Sequence, residues 1–364
     1  ATLKGVELTK EALALDPTHF MANYALLWAQ TTRINEGAFE ADAAYWQHVE
    51  KVLQMTTDTS QLDVEQAKID KARSWALYAK CRPLADAADP AERESCIEML
   101  TESVKLFPSG LNNNLLDKLK TAFRIEKRQA EIDANPQLSY RLISEKEAHE
   151  KYQLTDFIHG AGDACHYRLY EADHVWEGDF DTYRELSDSD ESDFVHGFLF
   201  AGNLTVPGVV VQPEGDFGET LVVLGDLRAR GLDKGGSQFA IRGNLEVETA
   251  IYGYYNHGTL SVRGDTKAHT LFCDDHHFEF GGKVSGLLID CGRVTGAVAD
   301  FDEEDLEEVL LPELVDEDGY RDAGKISAYI AAGKLITKAG VRPWREQLID
   351  ELSEALRSGK SVET

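Results

Sequence analysis

A five-residue unit recurs through the middle of this chain and limits what the chain can fold into. Each copy is glycine, then aspartate or asparagine, then alternating residues, and copies begin at Gly202, Gly225, Gly243, Gly264 and, less regularly, Gly282. The copies are 23, 18, 21 and 18 residues apart. Glycine, aspartate and asparagine favour tight turns, and the alternation suits a strand with one buried face. Turns at this interval predict stacked coils of two or three short strands each.

Coils of about 20 residues bury a core only by stacking on one another. We therefore predict a right-handed parallel β-helix of about five coils over residues 156–300, with the repeat clearest over 198–300. A right-handed coil is expected because the pattern is not the hexapeptide repeat of left-handed acyltransferase coils. A cupin-like or other antiparallel sandwich, which also has many short strands, is the alternative. The regular interval favours the β-helix.

Both segments that flank the repeat have helical patterns. Over residues 1–155 glycine is scarce and apolar residues recur at intervals of three and four. The junction at Asp16-Pro17 looks like that between two tetratricopeptide repeats, and an irregular helical bundle is the alternative. Residues 301–364 begin with an acidic segment and continue with helices that could cap the open end of the coils. The predicted fold is therefore an α+β multidomain arrangement, with domains 1–155, 156–300 and 301–364.

Local signals place some helix boundaries. Asp89 before Pro90 predicts a helix start, because aspartate caps the first turn and proline is tolerated at the first helical position. The sequence Gly-Leu-Asn-Asn-Asn over 110–114 predicts a turn. Apolar residues at helical spacing predict amphipathic helices over 322–339 and 343–356.

The net charge is strongly negative and unevenly distributed. The chain has 37 Lys and Arg against 65 Asp and Glu, a formal net charge of −28. Ten acids and one base lie between Glu171 and Asp193, and eleven acids and no Lys or Arg lie between Asp300 and Asp318. Such a field repels nucleic acid and anionic membranes and favours a basic protein partner. Solubility alone is the simpler explanation of acidic loops.

The five cysteines are scattered and never form a Cys-x-x-Cys pair. This distribution argues against a disulfide framework and fits a reducing compartment, so we expect a cytoplasmic protein. A nucleotide-binding loop, a zinc-protease helix motif and a serine-hydrolase elbow are all missing from the sequence. We therefore assign no catalytic residue and expect no cofactor.

The stretch from Cys273 to Glu279, Cys-Asp-Asp-His-His-Phe-Glu, most resembles part of an enzyme. Asp274, His276 and His277 are weak candidates for metal ligands, because aspartate and histidine are common ligand types. Adjacent histidines on a strand point to opposite faces, so only one of them joins a given site easily. A turn with structurally hydrogen-bonded histidines is the alternative.

A second cluster contains His159, Asp163, Cys165 and His166. Cysteine beside histidine is typical of nucleophilic catalysis, although no residue in the sequence selects a partner for the thiol.

A third feature is the run of Tyr252, Tyr254 and Tyr255. Tyrosine is good contact material for a protein partner, and stacking within the coils is an equal alternative.

The glycine units at 202, 225 and 243 resemble the coils of bactofilin-type polymer-forming proteins, which implies a parallel β-helix. The whole layout is more similar to large acidic bacterial proteins encoded beside polymorphic toxins, some of which are immunity proteins. The sequence Tyr254-Tyr255-Asn256-His257-Gly258, followed by the stretch up to Glu279, carries this similarity. It implies inhibition of a toxin by binding and assigns no contact residue.

We therefore expect a non-enzymatic protein-binding module, an immunity-type protein that neutralises a bacterial toxin through acidic surfaces. The residues expected to contact a basic toxin domain are Asp188, Asp190, Glu191, Asp193, Tyr252, Tyr254, Tyr255, Asp302, Glu303, Glu304, Asp305, Glu307 and Glu308. The alternatives are a self-associating β-helix scaffold and a metal-dependent enzyme that uses His276 and His277. Partners of the nucleic acid or membrane type are not expected.

Overall fold

A computed structural model gives the fold of most of the chain. It describes residues 3–35, 41–57, 59, 64–86, 89–135, 138–154, 158, 165–213, 215, 218–316, 320–344, 346, 349–350 and 353–354. The chain divides into two compact units, Ala1–Arg128 and Gln129–Thr364. The predicted domain boundary at residue 155 therefore lies within the second unit.

The first unit is helical, as predicted, and consecutive helices from the first to the fifth pack on one another. Asp16-Pro17 lies between the first two helices, where the repeat-like junction places it. Apolar residues such as Leu27, Val49 and Ala76 form its core. The helices are α1 (Leu3–Leu15), α2 (Phe20–Asn35), α3 (Ala43–Thr57), α4 (Gln66–Cys81), α5 (Pro90–Leu106) and α6 (Gly110–Ala134), which extends into the second unit.

Two local predictions in this unit have opposite outcomes. The predicted start of α5 is confirmed, because Asp89 accepts a hydrogen bond from the Ala91 N–H and Pro90 is the first helical residue. The turn predicted over 110–114 is wrong, because α6 begins at Gly110. Asn112 Oδ1 accepts a hydrogen bond from the Ser109 N–H at 2.8 Å, so an asparagine that suggests a turn instead holds the first turn of a helix.

The second unit contains a parallel β-solenoid of about five turns, as predicted, and its handedness stays a prediction. Its strands pair in parallel except β1 with β2, which excludes the antiparallel sandwich. The strands are β1 (Arg141–Ser144), β2 (His166–Tyr170), β3 (His174–Val175), β4 (Phe180–Asp181), β5 (Val195–Phe200), β6 (Leu204–Gln212), β7 (Thr220–Val223), β8 (Leu227–Lys234), β9 (Gln238–Ile241), β10 (Leu245–Val247), β11 (Ala250–Tyr254), β12 (Thr259–Val262), β13 (Thr266–Phe280) and β14 (Val284–Thr295).

Parallel pairing arranges these strands in three faces. Face A stacks β3, β10 and the first parts of β6, β8, β13 and β14. Face B stacks β4, β11 and later parts of the same long strands. Face C stacks β2, β5, β7, β9, β12 and the ends of β13 and β14. Inside face C the buried side chains of one register form a column: Phe198, Leu221, Phe239, Leu260 and Phe278.

The glycine repeat forms a ladder of hydrogen bonds at the turn before face A. In each rung a side-chain oxygen accepts a hydrogen bond from the backbone N–H of the equivalent residue one coil further on, at 2.8 Å in every case. The accepting side chains are, in order, Asp173, Asn203, Asp226, Asn244 and Asp265, and the Lys283 N–H donates the last bond. Aspartate and asparagine both supply the oxygen that this rung needs.

The glycines of the repeat are required by close contact between coils. A Cβ atom at Gly243 would lie 2.4 Å from the Gly225 carbonyl oxygen, and one at Gly264 would lie 2.5 Å from that of Gly243. No side chain tolerates such distances to a backbone atom. The repeat thus combines a glycine for close stacking with a neighbour that bonds to the next coil.

The described C-terminal residues cover the outer side of face B. Leu306, Ile326 and Ile330 pack against face B residues that include Tyr252 and Phe272. The segment contains α9 (Leu306–Val309) and α10 (Ala323–Ala331), so the helix predicted over 322–339 is shorter than expected. Instead of the expected end cap, this part of the chain lies laterally across several coils. Much of the helix predicted over 343–356 lies outside the described residues.

The outer side of face C is covered in a similar way over its first coils. Helix α7 (Glu145–Tyr152) contributes Ala148, which packs with Leu154 against Leu199 and Val222. In the part of the chain that the structure describes, no helix has the length and apolar character needed to cross a membrane.

Candidate binding cleft

A buried ion pair fixes the first acidic segment to the solenoid. Arg168 on β2 donates from Nε to Glu191 Oε2 at 2.6 Å, and the Tyr140 hydroxyl donates to Glu191 Oε1 at 2.7 Å. The two charged side chains are 7% and 0% exposed. The Arg168 guanidinium also lies over the Tyr140 and Phe198 rings. Glu191 is therefore removed from the predicted contact surface, because its carboxylate is used inside the protein.

The residues around Glu191 include a short helix and exposed aspartates. The helix is α8 (Thr182–Ser187), whose N-cap Asp181 accepts a hydrogen bond from the Arg184 N–H. The three aspartates that follow, Asp188, Asp190 and Asp193, lie at the surface, and we call them the acidic rim. Fixed by Glu191, the rim holds a defined position on the solenoid.

A cleft of about 830 Å³ opens beside the acidic rim. It lies along the corner at which the chain passes from face B to face C in each coil, and we call it the corner cleft. Its lining includes residues at or just before the starts of successive face C strands: Cys165, Val195, Thr220, Gln238 and His257. Tyr183, Leu186 and Ser187 of α8 form one wall. The rim and the cleft are therefore neighbouring parts of one surface.

The lining of the corner cleft carries two carboxylates among hydroxyl, amide and imidazole groups. Glu145 and Glu219 line it, and no Lys or Arg does so among the described residues. Glu145 is buried and accepts a hydrogen bond from the Tyr167 hydroxyl at 3.2 Å, and Glu219 accepts one from Thr182 at 3.4 Å. Ser237, which is 2% exposed, also lines the cleft, and its hydroxyl has no partner among the described residues. The cleft thus suits a cationic or donor-rich ligand.

Cys165 lies in the corner cleft with its sulfur 3.8 Å from His196 Nε2. Burial raises the pKa of the Cys165 thiol, and the Glu145 carboxylate raises it further. A nucleophilic cysteine needs the opposite shift, because the thiolate is the reactive form. The direction of this pKa shift therefore does not favour nucleophilic catalysis by Cys165. His159 and Asp163, the other members of the predicted cluster, lie outside the described residues.

The histidine-rich stretch of β13 performs structural roles in the described residues. His276 Nε2 accepts a hydrogen bond from the Lys234 ammonium at 3.0 Å, and its Nδ1–H donates to the Tyr255 carbonyl at 3.0 Å. Lys234 is fully buried and also donates to the carbonyls of Gly235 and Ser237. Burial, followed by Lys234, lowers the pKa of His276 to about 2, so the ring is neutral.

Asp274 of the same stretch is bound by the C-terminal segment. Its carboxylate forms an ion pair with Arg321 and accepts a hydrogen bond from the Tyr252 hydroxyl at 2.8 Å. Arg321 also pairs with Glu303 at 2.8 Å. Within the described residues, no group of three His, Cys, Asp or Glu side chains is placed to hold a metal ion. The three weak metal candidates are therefore not brought together in one centre.

The three tyrosines have different environments. Tyr252 is 0% exposed, because the C-terminal segment covers face B, and it is also removed from the predicted contact surface. Tyr254 is half-buried and stacks on the Tyr252 ring at 5.3 Å. Tyr255 is exposed at a corner with a positive φ of 82°. Stacking within the coils, the alternative interpretation, describes the first two, because both rings belong to β11.

The second acidic segment uses part of its charge internally. Asp302 and Asp305 form a reciprocal capping box around the 3₁₀ turn Glu303–Asp305, and Glu303 pairs with Arg321. Asp305 is half-buried, while Glu304, Glu307 and Glu308 are exposed. This segment lies on the face B cover and does not line the corner cleft.

The corner cleft itself has no counterpart in the sequence patterns. Glu145, Cys165, Glu219 and Ser237 lie far apart in the chain and share no motif. The one signal in the sequence is the position of these residues in the repeat. When the period of the repeat is known, the starts of equivalent strands are expected at the same corner of the solenoid.

Comparison with known proteins gives no relative: no family model, curated protein or solved structure matches this chain.

Proposed function

We propose that this chain is a non-enzymatic protein-binding module that binds a basic protein partner beside the corner cleft. The observation that supports this proposal is the fixed position of the acidic rim next to a cleft that is lined by two carboxylates. A rigid acidic surface is pre-organised, so less conformational entropy is lost on binding than with a flexible acidic loop. The net charge of −28 adds long-range attraction for a basic partner.

The narrower form of the proposal is an immunity-type protein that inhibits a bacterial toxin. It rests on the resemblance of the whole layout to acidic proteins encoded beside polymorphic toxins. Toxins that act on nucleic acid or nucleotides have basic clefts, which an acidic surface can block. The acidic rim is the more suitable of the two acidic segments, because it borders the corner cleft and the second segment does not.

The test is capture of the product of the adjacent gene by the full chain, followed by measurement of association rates. The triple variant Asp188→Lys, Asp190→Lys, Asp193→Lys should lower the association rate about tenfold or more at low ionic strength, and high salt should reduce this difference. Reversal of Glu304, Glu307 and Glu308 is the control with equal charge change. Failure to bind, or equal effects of the two triple variants, would contradict the proposal.

A further inference from the structure

We propose that the corner cleft binds an arginine side chain of the basic partner. This inference rests on the proposed function, and it identifies the cleft as the place where the partner inserts a residue. The acidic rim attracts the partner, whereas the cleft distinguishes one kind of cation from another.

The first argument is the charge of the cleft. Glu145 and Glu219 are its charged lining groups in the described part of the chain, and both are carboxylates. Lys234 is buried behind Ser237 and does not line the cleft, and its three donors are used by the Gly235 and Ser237 carbonyls and by His276 Nε2. A cation in a partly buried site gains more from a carboxylate than it does in bulk water.

The second argument is the buried hydroxyl of Ser237. This residue is 2% exposed, it lines the cleft, and its hydroxyl has no partner among the described residues. Buried polar atoms in folded proteins nearly always have a hydrogen-bond partner. A donor group entering the cleft would supply one, which points to a ligand and not only to a patch of acidic surface.

The third argument favours arginine over lysine. A guanidinium has five donors in a plane and stacks on aromatic rings, whereas an ammonium is a compact point charge. The cleft offers a carboxylate from α7, a second carboxylate from Glu219 before β7 and a hydroxyl from Ser237 before β9, and its wall carries Tyr183, which is 42% exposed. Several separated acceptors beside an open ring match a planar fork of donors.

Cys165 provides a direct reporter of occupancy. Three other cysteines, Cys81, Cys96 and Cys273, are buried, and Cys291 is half-buried. In a Cys291→Ser background, Cys165 is therefore the thiol that a disulfide reagent reaches. A group bound in the cleft should protect it, which makes the readout independent of any partner.

The experiment measures the rate at which this reagent modifies Cys165 in the full chain, with and without blocked diarginine. Diarginine should lower the rate about fourfold at about three times its Kd. The neutral citrulline dipeptide should give no protection, and dilysine should protect less. Equal protection by the citrulline dipeptide would overturn the proposal.

Matched variants locate the effect. Glu219→Gln should abolish protection, whereas Glu279→Gln, which removes an exposed acid outside the cleft, should leave it unchanged. Tyr183→Ala should also weaken the protection of Cys165, and the exposure of Tyr183 means that the substitution should affect stability little. Protection that survives both Glu219→Gln and Tyr183→Ala, or that Glu279→Gln removes equally, would show a general charge effect and sink the assignment.

The partner experiment separates this inference from the proposed function. If the basic partner binds and leaves Cys165 reactive, the cleft assignment fails and the proposed function stands. If diarginine protects Cys165 and no basic protein binds, the cleft assignment stands and the proposed function fails.

Discussion

At the residue scale, buried charged side chains determine which acidic residues of the second unit remain at its surface. Arg168 and Glu191 hold the acidic rim, while Lys234 on β8 and His276 on β13 join two coils that have one coil between them. Each of these side chains forms at least one hydrogen bond with another of them. Such pairs are costly to break, because removal of one partner leaves the other buried and uncompensated.

Replacement of Glu191 by glutamine tests the anchoring of the rim. The loss of charge leaves Arg168 buried without its counter-ion, so the free energy of unfolding should fall by about 3–5 kcal/mol. Urea unfolding would measure the change. Asp188→Asn, which breaks the exposed pair with Arg184, is the control and should cost about 0–1 kcal/mol. Similar costs for the two variants would contradict an anchoring role.

Asp233, beneath α10, should make stability depend on pH. Burial raises its pKa from 3.8 to about 6, against an opposing hydrogen bond from Ser327. The folded state therefore holds this proton more tightly than the unfolded state does, so the contribution of Asp233 to stability is greatest below pH 3.8 and is lost as the pH rises through 6.

Asp233→Asn should remove this loss. The variant should match the wild type near pH 3.5 and exceed its stability at pH 7 by roughly 1–3 kcal/mol. Denaturant unfolding over this pH range would measure the difference between the two proteins. A difference that stays constant with pH would show that Asp233 does not titrate in this window.

At the element scale, the hydrogen-bond ladder before face A has a charge pattern that the glycine repeat alone does not predict. Its rungs alternate in charge: Asp173, Asn203, Asp226, Asn244 and Asp265. Neighbouring coils are about 4.8 Å apart, so adjacent carboxylates would repel one another. An asparagine between two aspartates keeps the accepting oxygen and separates the charges.

Asn244→Asp should expose this constraint. It places three carboxylates on consecutive rungs and removes the bond from Asn244 Nδ2 to Asp226 at 3.1 Å. We expect a loss of about 1 kcal/mol at low ionic strength that shrinks in salt. Asp265→Asn, which keeps the oxygen and removes a charge, should be nearly neutral. Thermal unfolding of the variant and the wild type at two salt concentrations measures this loss of stability. A loss that does not change with salt would rule out repulsion between the carboxylates.

The same ladder shows how far the sequence predicts the elements. The phase of the repeat is correct: Leu204, Leu227 and Leu245 occupy one register. The period of the repeat indicates local turns and the alternation of buried and exposed residues, and both features are present in the fold. The burial of Tyr252 could not be predicted, because the residues that cover it come from the C-terminal segment. Glu191 is hidden for a similar reason, since its partner Arg168 is 23 residues away.

At the scale of the whole molecule, the charge of −28 acts against folding as well as for binding. A compact chain brings like charges closer together than an unfolded one, and salt screens their repulsion. The two acidic regions are held on a rigid solenoid unit. The sequence indicates these regions by composition alone, but only the fold shows that one of them borders a cleft.

An increase in sodium chloride from about 10 to about 150 mM should therefore raise the urea midpoint of unfolding, because the Debye length falls from about 30 to about 8 Å. Sucrose of equal osmolality is the control for changes that do not involve charge. A midpoint that falls with salt would mean that attractive ion pairs outweigh the net repulsion.

The alternating ladder also has an evolutionary consequence. Duplication of one coil would place two identical rungs side by side, either two carboxylates or two amides. Duplication of two adjacent coils would restore the original order at both new junctions. Lineages descended from such a protein should thus gain or lose coils in even numbers, and an odd change should be accompanied by a substitution at a neighbouring rung.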